Sequence, residues 1–491
     1  MTDSARSDAH AAPLDFELFD LAIIGAGPAG IAAALEARAQ RLRTVVLDAQ
    51  PAPGGSAWRN VEAVTTQRPQ DLFVFGPDYA DGFPIAQRFR RCGADYRAGA
   101  SVGAIELAVS AQAAAPQPGV YMPATGALDT GPDIDPATHI ERRRTGADRR
   151  VHYTDSRGER TLAARHVLIA TGAFERAMPL PGWTLPGVLT CGAAHVLLAT
   201  AGLVPSHPVA IVGSGPLALQ VAAQLLRAGV KPVAVVETMP LSNSLGALRH
   251  LGAAVLAPGY LAKGLSLSGA LRRAGVPRFA GATEVRIEGA ARAEVVAFRH
   301  RGRTHRLPVA TVLLHQGQVP DAQLWQSLKV DRYWDARQWC FRPDVDDWGN
   351  TSCAGIVVAG DGAGIGGTEA ALCAGELAAL SIAWQQRRID TRERDRRARR
   401  AQRALRAHSS MRPFLDRLYL PPPASRVPSD DDTVVCRCED VCAGELRALV
   451  AQGVRSLEQM KAVSRCAMGA CGGRLCALTA AELIARATRP A

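Results

Sequence analysis

Three stretches of the chain share one pattern of apolar and polar positions: a short unbroken apolar run, a glycine-rich turn, then a long segment rich in alanine and leucine. The first, FDLAIIGAGPAGIAAALEARAQRLRTVVLDAQ (residues 19–50), predicts a buried strand over residues 21–24, a tight turn, a helix, and a second strand ending at Asp48. The second, HPVAIVGSGPLALQVAAQLLRAGVKPVAVVE (residues 207–237), repeats strand, turn, helix and strand, and closes on Glu237. The third, GIVVAGDGAGIGGTEAALCAGELAAL (residues 355–380), predicts a strand, a glycine turn over residues 360–367 and a long helix. Between the first two, HVLIATG (residues 166–172) predicts a further buried strand that ends in Gly172. Strands alternating with helices make an α/β chain with parallel sheets, and the first two units read as an internal repeat. Residues 111–150, rich in Pro, Gly, Ala and Thr without a sustained period, read as a surface loop or partly disordered insertion.

The turns carry chemistry. Gly25, Gly27 and Gly30 stand at G-x-G-x-x-G spacing around Pro28 and Ala29, directly after a strand and at the start of a helix. That arrangement allows a tight turn, a close backbone approach to a pyrophosphate, and close helix–strand packing, with the helix N-terminus facing the phosphates. Asp48, about 20 residues on, is placed to accept from a ribose hydroxyl. In the second unit Gly213 and Gly215 keep their places and Ala218 stands at the third. Glu237 there favours an unphosphorylated adenosine ribose, hence NAD rather than NADP. The other reading of that unit is a degenerate repeat, empty or holding another adenine nucleotide. Asp361, at the end of VVAGD between Gly360 and Gly362, would reach a polyol chain beyond the pyrophosphate, which suits FAD better than NAD.

Eleven cysteines change the picture further. Six of them (Cys436, Cys438, Cys442, Cys466, Cys471 and Cys476) crowd the last tenth of the chain, as a metal site or redox centre would. The pairs Cys436-x-Cys438 and Cys471-x4-Cys476 suit a [2Fe–2S] cluster, whereas zinc more often takes C-x2-C pairs; structural zinc stays an alternative. Cys442 and Cys466 are left as spares, with Cys466 a competitor of Cys471. Nearby Arg437 and Arg474 would offset a cluster's negative charge. Cys191, Cys340, Cys353 and Cys373 read as small apolar residues, and no C-x-x-C lies beside the glycine motifs, which argues against a dithiol mechanism. His315, after a buried strand, reads as structural more readily than as a base, and Trp325, Trp334, Trp339 and Trp348 as packing.

The 491 residues suit roughly three domains at about 150 residues each. A net charge of +11 concentrates in residues 387–406, where Asp390, Glu393 and Asp395 interleave with arginines as on a solvated or subunit-contacting helix, so no nucleic-acid partner is expected. A Pro-rich stretch, residues 420–432, reads as a linker. No apolar run is long enough to span a bilayer and the N-terminus does not read as a secretory signal, so a cytoplasmic protein is expected.

GAGPAG with Asp48, Gly54 and Gly55 with Arg59, ATG with Thr171 and Gly172, and AGD with Asp361 together resemble the flavoproteins with two dinucleotide-binding domains. The resemblance implies that these residues bind FAD, with Asp361 on its ribityl chain. CRCEDV…MGACGGRLC resembles the bacterioferritin-associated-ferredoxin-like [2Fe–2S] domain in a variant with a longer second cysteine spacing. It implies Cys436, Cys438, Cys471 and Cys476 as ligands.

In order and spacing, residues 18–480 resemble the FAD- and [2Fe–2S]-containing subunits of heteromeric amine, imino-acid and opine dehydrogenases. That family includes octopine and nopaline oxidase A subunits, hydrogen cyanide synthase B subunits and D-hydroxyproline dehydrogenase α subunits. The implied fold is a Rossmann-like two-domain flavoprotein. It has an FAD domain over 18–195 and 306–390, a second dinucleotide domain over 196–305, a basic helix and linker over 391–430, and a small α-rich [2Fe–2S] domain over 431–491. The implied partner is a smaller FAD-containing dehydrogenase subunit that oxidises the amine, with this chain relaying electrons to an unnamed acceptor, in the cytoplasm or peripherally at the inner face of the membrane. Two other readings stay open: a self-sufficient NADH-dependent reductase, and a non-enzymatic interaction module with structural zinc.

Overall fold

The computed structural model describes residues 16–107, 149–254 and 257–488. The loop expected over 111–150 lies outside them, apart from Arg149 and Arg150, which begin a strand. The first βαβ unit is β1 (Leu18–Ile24), α1 (Pro28–Ala39) and β2 (Thr44–Asp48), with β1 and β2 parallel and Leu21 opposite Thr44. With β3 (Asp95–Ala98), β4 (Ser101–Leu107), β5 (Arg149–Asp155) and β6 (Gly158–Ile169) they make a sheet in the order β3-β2-β1-β6-β5-β4. The 12-residue β6 serves two neighbourhoods: its first half pairs antiparallel with β5, its second half parallel with β1 and with the strand Ile356–Val358. Strands covered on both faces must be apolar on both, which is why TVVLD is buried at every position. On one face α1 and the helix Thr368–Gln385 meet the side chains of Leu21, Ile23, Val46 and Leu168.

The second unit builds an all-parallel sheet in the order Arg278–Ala280, Ala234–Glu237, Val209–Gly213, Thr311–His315, Val188–Thr190. A three-stranded antiparallel sheet, Thr283–Glu288, Val295–His300 and Arg303–Pro308, lies alongside it. Near the C-terminus a hairpin (Val434–Cys436, Val441–Cys442) and three helices (Ala443–Ala451, Leu457–Ser464, Ala477–Thr488) enclose a small core of their own, of which Cys436, Cys466 and Cys476 are part.

The basic helix keeps an exposed arginine face and packs its other side, and the stretch expected to be a linker is partly packed. The basic helix Thr391–Ser410, capped by Asp390 accepting from the Glu393 N–H at 2.8 Å, buries Ala398 and Ala401 against Thr368–Gln385. Its Arg394 lies over the rings of Trp348 and Trp384, at 4.4 and 4.6 Å from their centres. The Pro-rich stretch is no free spacer: Ser425, Arg426 and Val427 are buried, because Arg426 finds a carboxylate partner in Glu482 on the last helix. Among the described residues, no helix is long and apolar enough to cross a membrane.

A pH response follows from His166 on β6. Its Nε2 donates to Gln385 Oε1 at 3.1 Å and its Nδ1 accepts from Gln386 Nε2 at 3.0 Å, a pairing only the neutral ring satisfies. Burial outweighs the bond to Gln385, which works to raise it, and lowers its pKa from 6.5 to about 4. The unfolded chain therefore binds the proton first as pH falls through 6.5, and stability drops until pH passes 4. Chemical denaturation at pH 7 and pH 4.5 is expected to show a His166→Gln variant losing on the order of 2 kcal/mol less than the parent between them.

Candidate functional site

A cleft of about 1290 Å³ opens along the carboxyl ends of β1 and β2, where the turn, Asp48, Arg59, Thr171 and Asp361 converge. The sequence bends there because Gly30 sits so close to the turn that a Cβ on it would lie 1.9 Å from the Gly25 carbonyl oxygen. Gly27 caps α1 and Pro28 begins it, so the first helical N–H groups face the cleft without partners of their own. The loop carrying Gly54 and Gly55 is tied to the turn by the Gly54 N–H donating to Ala26 O at 2.8 Å. Asp48 accepts from the Gln50 N–H and from the Tyr96 hydroxyl, and its burial, opposed by these bonds and by the Arg59 charge, raises its pKa. Asp361 Oδ1 accepts from the Gly366 and Gly367 N–H groups at 2.8 and 2.9 Å, which leaves Oδ2 without a protein partner among the described residues.

Two buried polar atoms at this cleft lack partners among the described residues: Arg59 Nε and Thr171 Oγ1. Buried donors are rarely left unmet, so a ligand rich in acceptors fits here. A phosphate run at the α1 N-terminus, a ribose at Asp48 and a polyol at Asp361 are what FAD offers. Gly172 lines the facing side; Gly360 and Gly362 lie behind it, Gly360 where a Cβ would meet Ala29 at 2.8 Å and Gly362 where one would meet Gly172 at 3.5 Å.

The second glycine turn is differently furnished. The buried His315 ring lies against Gly215, and its Nδ1 pairs with Glu175 Oε1 at 2.6 Å; Glu175 Oε2 accepts the Gly192 N–H. His315 is thus a structural residue. Glu237, expected at a ribose, is buried and held by Arg278 at 2.6 Å. The chain after the basic helix comes over this end: Asn243 Nδ2 donates to the carbonyls of Leu418 and Leu420, and burial pushes the Tyr419 phenol, near Glu237, up to about 12.

At its far end the first cleft is lined by Asp321, Gln323, Lys461, Gly472 and Arg474, so it runs up to the cysteine-bearing loop. The sulfurs of Cys436, Cys466 and Cys476, all buried, lie within 4.8 Å of one another. Cys438 and Cys471 share a hydrogen bond beside them, so five thiols rather than four are gathered. Cys466, expected to be a spare, is in the innermost group. Arg465 and Ala467 on either side adopt left-handed backbone and turn it inward, which spacing does not reveal. Cys442 stands apart, its Sγ donating to Asp432 O.

Burial works to raise the Cys471 thiol, yet the N–H groups of Leu475, Gly473 and Arg474 and the Cys438 thiol outweigh it and hold it below the ordinary value. At Cys476 the bond with Cys466 and burial act in the opposite direction and raise it. An all-sulfur donor set with backbone N–H groups on its sulfur fits an iron–sulfur cluster. The scattered cysteines are quiet: burial raises Cys191, and pushes Cys340 up to about 12. Of the arginines expected near the cluster, Arg437 faces the Trp183 ring and Arg474 pairs with Asp321. Asp321 and Gln323 carry no motif signal in the sequence.

Comparison with known proteins gives two family matches: pyridine nucleotide-disulphide oxidoreductase over residues 19–387 and the BFD-like [2Fe-2S] binding domain over residues 434–486. The chain is similar to the opine oxidase A subunit of Rhizobium meliloti (strain 1021), 39% identical over 95% of this chain and 92% of the relative. It is likewise similar to the opine oxidase A subunit of Agrobacterium tumefaciens (strain Ach5), 36% identical over 95% and 86%. Hydrogen cyanide synthase subunit HcnB of Pseudomonas aeruginosa is 30% identical over 95% and 92%. Among solved structures, L-proline dehydrogenase from P. horikoshii shares the fold, with a TM-score of 0.62 at 19% identity over 96% of this chain and 74% of that one. The BFD-like match favours an iron–sulfur cluster over zinc at the thiols.

Proposed function

The chain belongs to the pyridine nucleotide-disulphide oxidoreductase family, as an FAD- and [2Fe–2S]-containing oxidoreductase subunit, and we propose that it is the electron-transfer component of a heteromeric amine or imino-acid dehydrogenase of the opine type. The observation that carries this reading is a single cleft with FAD-type residues at one end and the Cys471 loop at the other. Bound FAD accepts electrons in pairs while a [2Fe–2S] cluster passes them singly, so the two together convert one regime to the other.

The chain's own residues supply the setting. The α1 N-terminus and Arg59 bind the phosphates, Asp48 the ribose and Asp361 the ribityl hydroxyls, with Gly25, Gly27, Gly55, Thr171 and Gly172 lining the cleft and Gly30, Gly54, Gly360 and Gly362 letting the surrounding backbone pack closely. The cluster draws its four ligands from Cys436, Cys438, Cys466, Cys471 and Cys476. Substrate oxidation belongs to a partner flavoprotein. That reading is supported by the opine oxidase and hydrogen cyanide synthase names, both of which denote single subunits of larger enzymes.

The NADH-reductase reading is disfavoured by a specific feature: the Glu237 carboxylate, which would meet an NAD ribose, is already paired with Arg278. Mixing the loaded chain with NADH anaerobically is expected to leave the flavin absorbance near 450 nm unbleached on the timescale of turnover. Adding an opine or imino acid together with the partner flavoprotein is expected to bleach it. Rapid bleaching by NADH alone would overturn the assignment.

A further inference from the structure

We propose that Asp321 and Gln323 form a strap that fixes the Cys471 loop to the flavin cleft, acting as positioning residues for electron transfer between the two cofactors and for the cluster's reduction potential. The proposal rests on the functional reading above and names the part of the chain that joins its two centres.

The strap has three polar links. The Asp321 backbone N–H donates to the Gly172 carbonyl at 2.9 Å, which anchors it to the ATG turn at the flavin end of the cleft. Gln323 Nε2, two residues on, donates to the carbonyl oxygens of Gly472 at 3.2 Å and Cys471 at 3.4 Å, on the loop at the other end. Asp321 Oδ2 pairs with Arg474 Nη2 at 3.0 Å, and both side chains are only partly exposed.

Gly472 shows how closely the parts meet. A Cβ at that position would lie 1.8 Å from Gln323 Nε2, so any side chain there displaces the Gln323 amide, and the residue has a φ of +60°, which favours glycine. The residues joined by the strap line one continuous cleft, so it spans the route between the cofactors rather than bracing a remote surface.

Two effects follow. Electron transfer falls steeply as the gap between centres widens, so releasing the loop slows it. A cluster gains negative charge on reduction, and nearby charge and hydrogen bonding tune its potential. Asp321 neutralises Arg474, so removing its charge leaves a cation that favours the reduced cluster.

The test uses the full chain loaded with FAD, iron and sulfide. The bound flavin is photoreduced anaerobically with EDTA as electron donor, and the single electron arriving at the cluster is followed by absorbance and by electron paramagnetic resonance. Gln323→Ala is expected to slow that arrival at least tenfold with FAD content unchanged. Asp321→Asn is expected to raise the cluster's midpoint potential in a redox titration, while Arg474→Gln lowers it.

Parent-like transfer in Gln323→Ala overturns the strap as a conduit, and an unchanged potential in Asp321→Asn overturns its electrostatic role. Should Gln323→Ala lose iron, the Asp321→Asn titration decides alone. A parent chain without acid-labile sulfide, or whose cluster ignores a reduced flavin, sinks the functional reading itself. Variants indistinguishable from a competent parent sink only the strap.

Discussion

A Cys436→Ser variant is expected to purify with its FAD in place and with at least nine-tenths of its iron and acid-labile sulfide gone. Cys436 is essentially fully buried, and its sulfur belongs to the group with Cys466 and Cys476 in which every pair lies within 4.8 Å. A serine oxygen is harder, and the shorter C–O bond draws it back from that centre, whereas iron–sulfur clusters select soft thiolates. The flavin cleft is built mainly from residues before 174, from the 318–332 segment and from the 359–371 turn and helix start, and the C-terminal domain adds Glu458, Lys461, Gly472 and Arg474 at its far end. Loss of the cluster therefore does not carry the flavin with it. Cys442→Ser is the control: its Sγ donates to the Asp432 carbonyl and lies outside the group of gathered thiols, so full iron and sulfide content is expected. Five thiols stand where four suffice, so Cys438→Ser and Cys466→Ser measured side by side identify the one that is not a ligand. Retention of parent-level sulfide by Cys436→Ser would remove this cysteine group as the cluster site.

The reach of the sequence stops at a physical boundary. Strand, glycine turn and helix are local patterns, so β1, α1 and β2 were legible in residues 19–50, and the strand Ile356–Val358 with its glycine turn was legible in residues 355–367. The cleft followed, because those glycines and Asp48 have their chemistry at fixed short spacing.

What was not legible depends on contacts made across the chain. Cys466 is separated from Cys471 by four residues, as Cys471 is from Cys476, so spacing cannot rank them; the left-handed turns at Arg465 and Ala467 decide. Residues 420–432 have a linker's composition, but their burial is set by Glu482, 56 residues beyond Arg426. His315 could be read as a base or a structural residue until Glu175, 140 residues earlier, was found against its ring. The strap at Gln323 belongs to the same class, since a lone glutamine at the start of the short helix Gln323–Ser327 has no signature.

The buried ion pair that docks the C-terminal helix leads to the second large effect, in an Arg426→Ala variant. Arg426 and Glu482 are both about 8% exposed and meet at 3.1 Å. The guanidinium lies 3.7 Å from the centre of the Trp339 ring, and Trp339 Nε1 donates to the other oxygen of Glu482 at 3.1 Å. One arginine thus joins the Pro-rich stretch, the last helix and a hairpin of the flavin-binding part. Removing it leaves a buried carboxylate served by Trp339 and by the half-exposed Arg486, so a loss of about 3 kcal/mol is expected, at the lower end of the range for breaking a buried pair. Arg426→Lys should recover little of it, since an ammonium cannot hold the carboxylate and the ring in one plane-stacked geometry. Chemical denaturation followed separately through cluster and flavin absorbance is expected to show the cluster transition moving to lower denaturant while the flavin transition holds. The cause is testable by removing the charge as well as its partner: Arg426→Met combined with Glu482→Leu should regain most of the stability. A double variant no better than Arg426→Ala would assign the loss to ring stacking and packing instead of the stranded carboxylate.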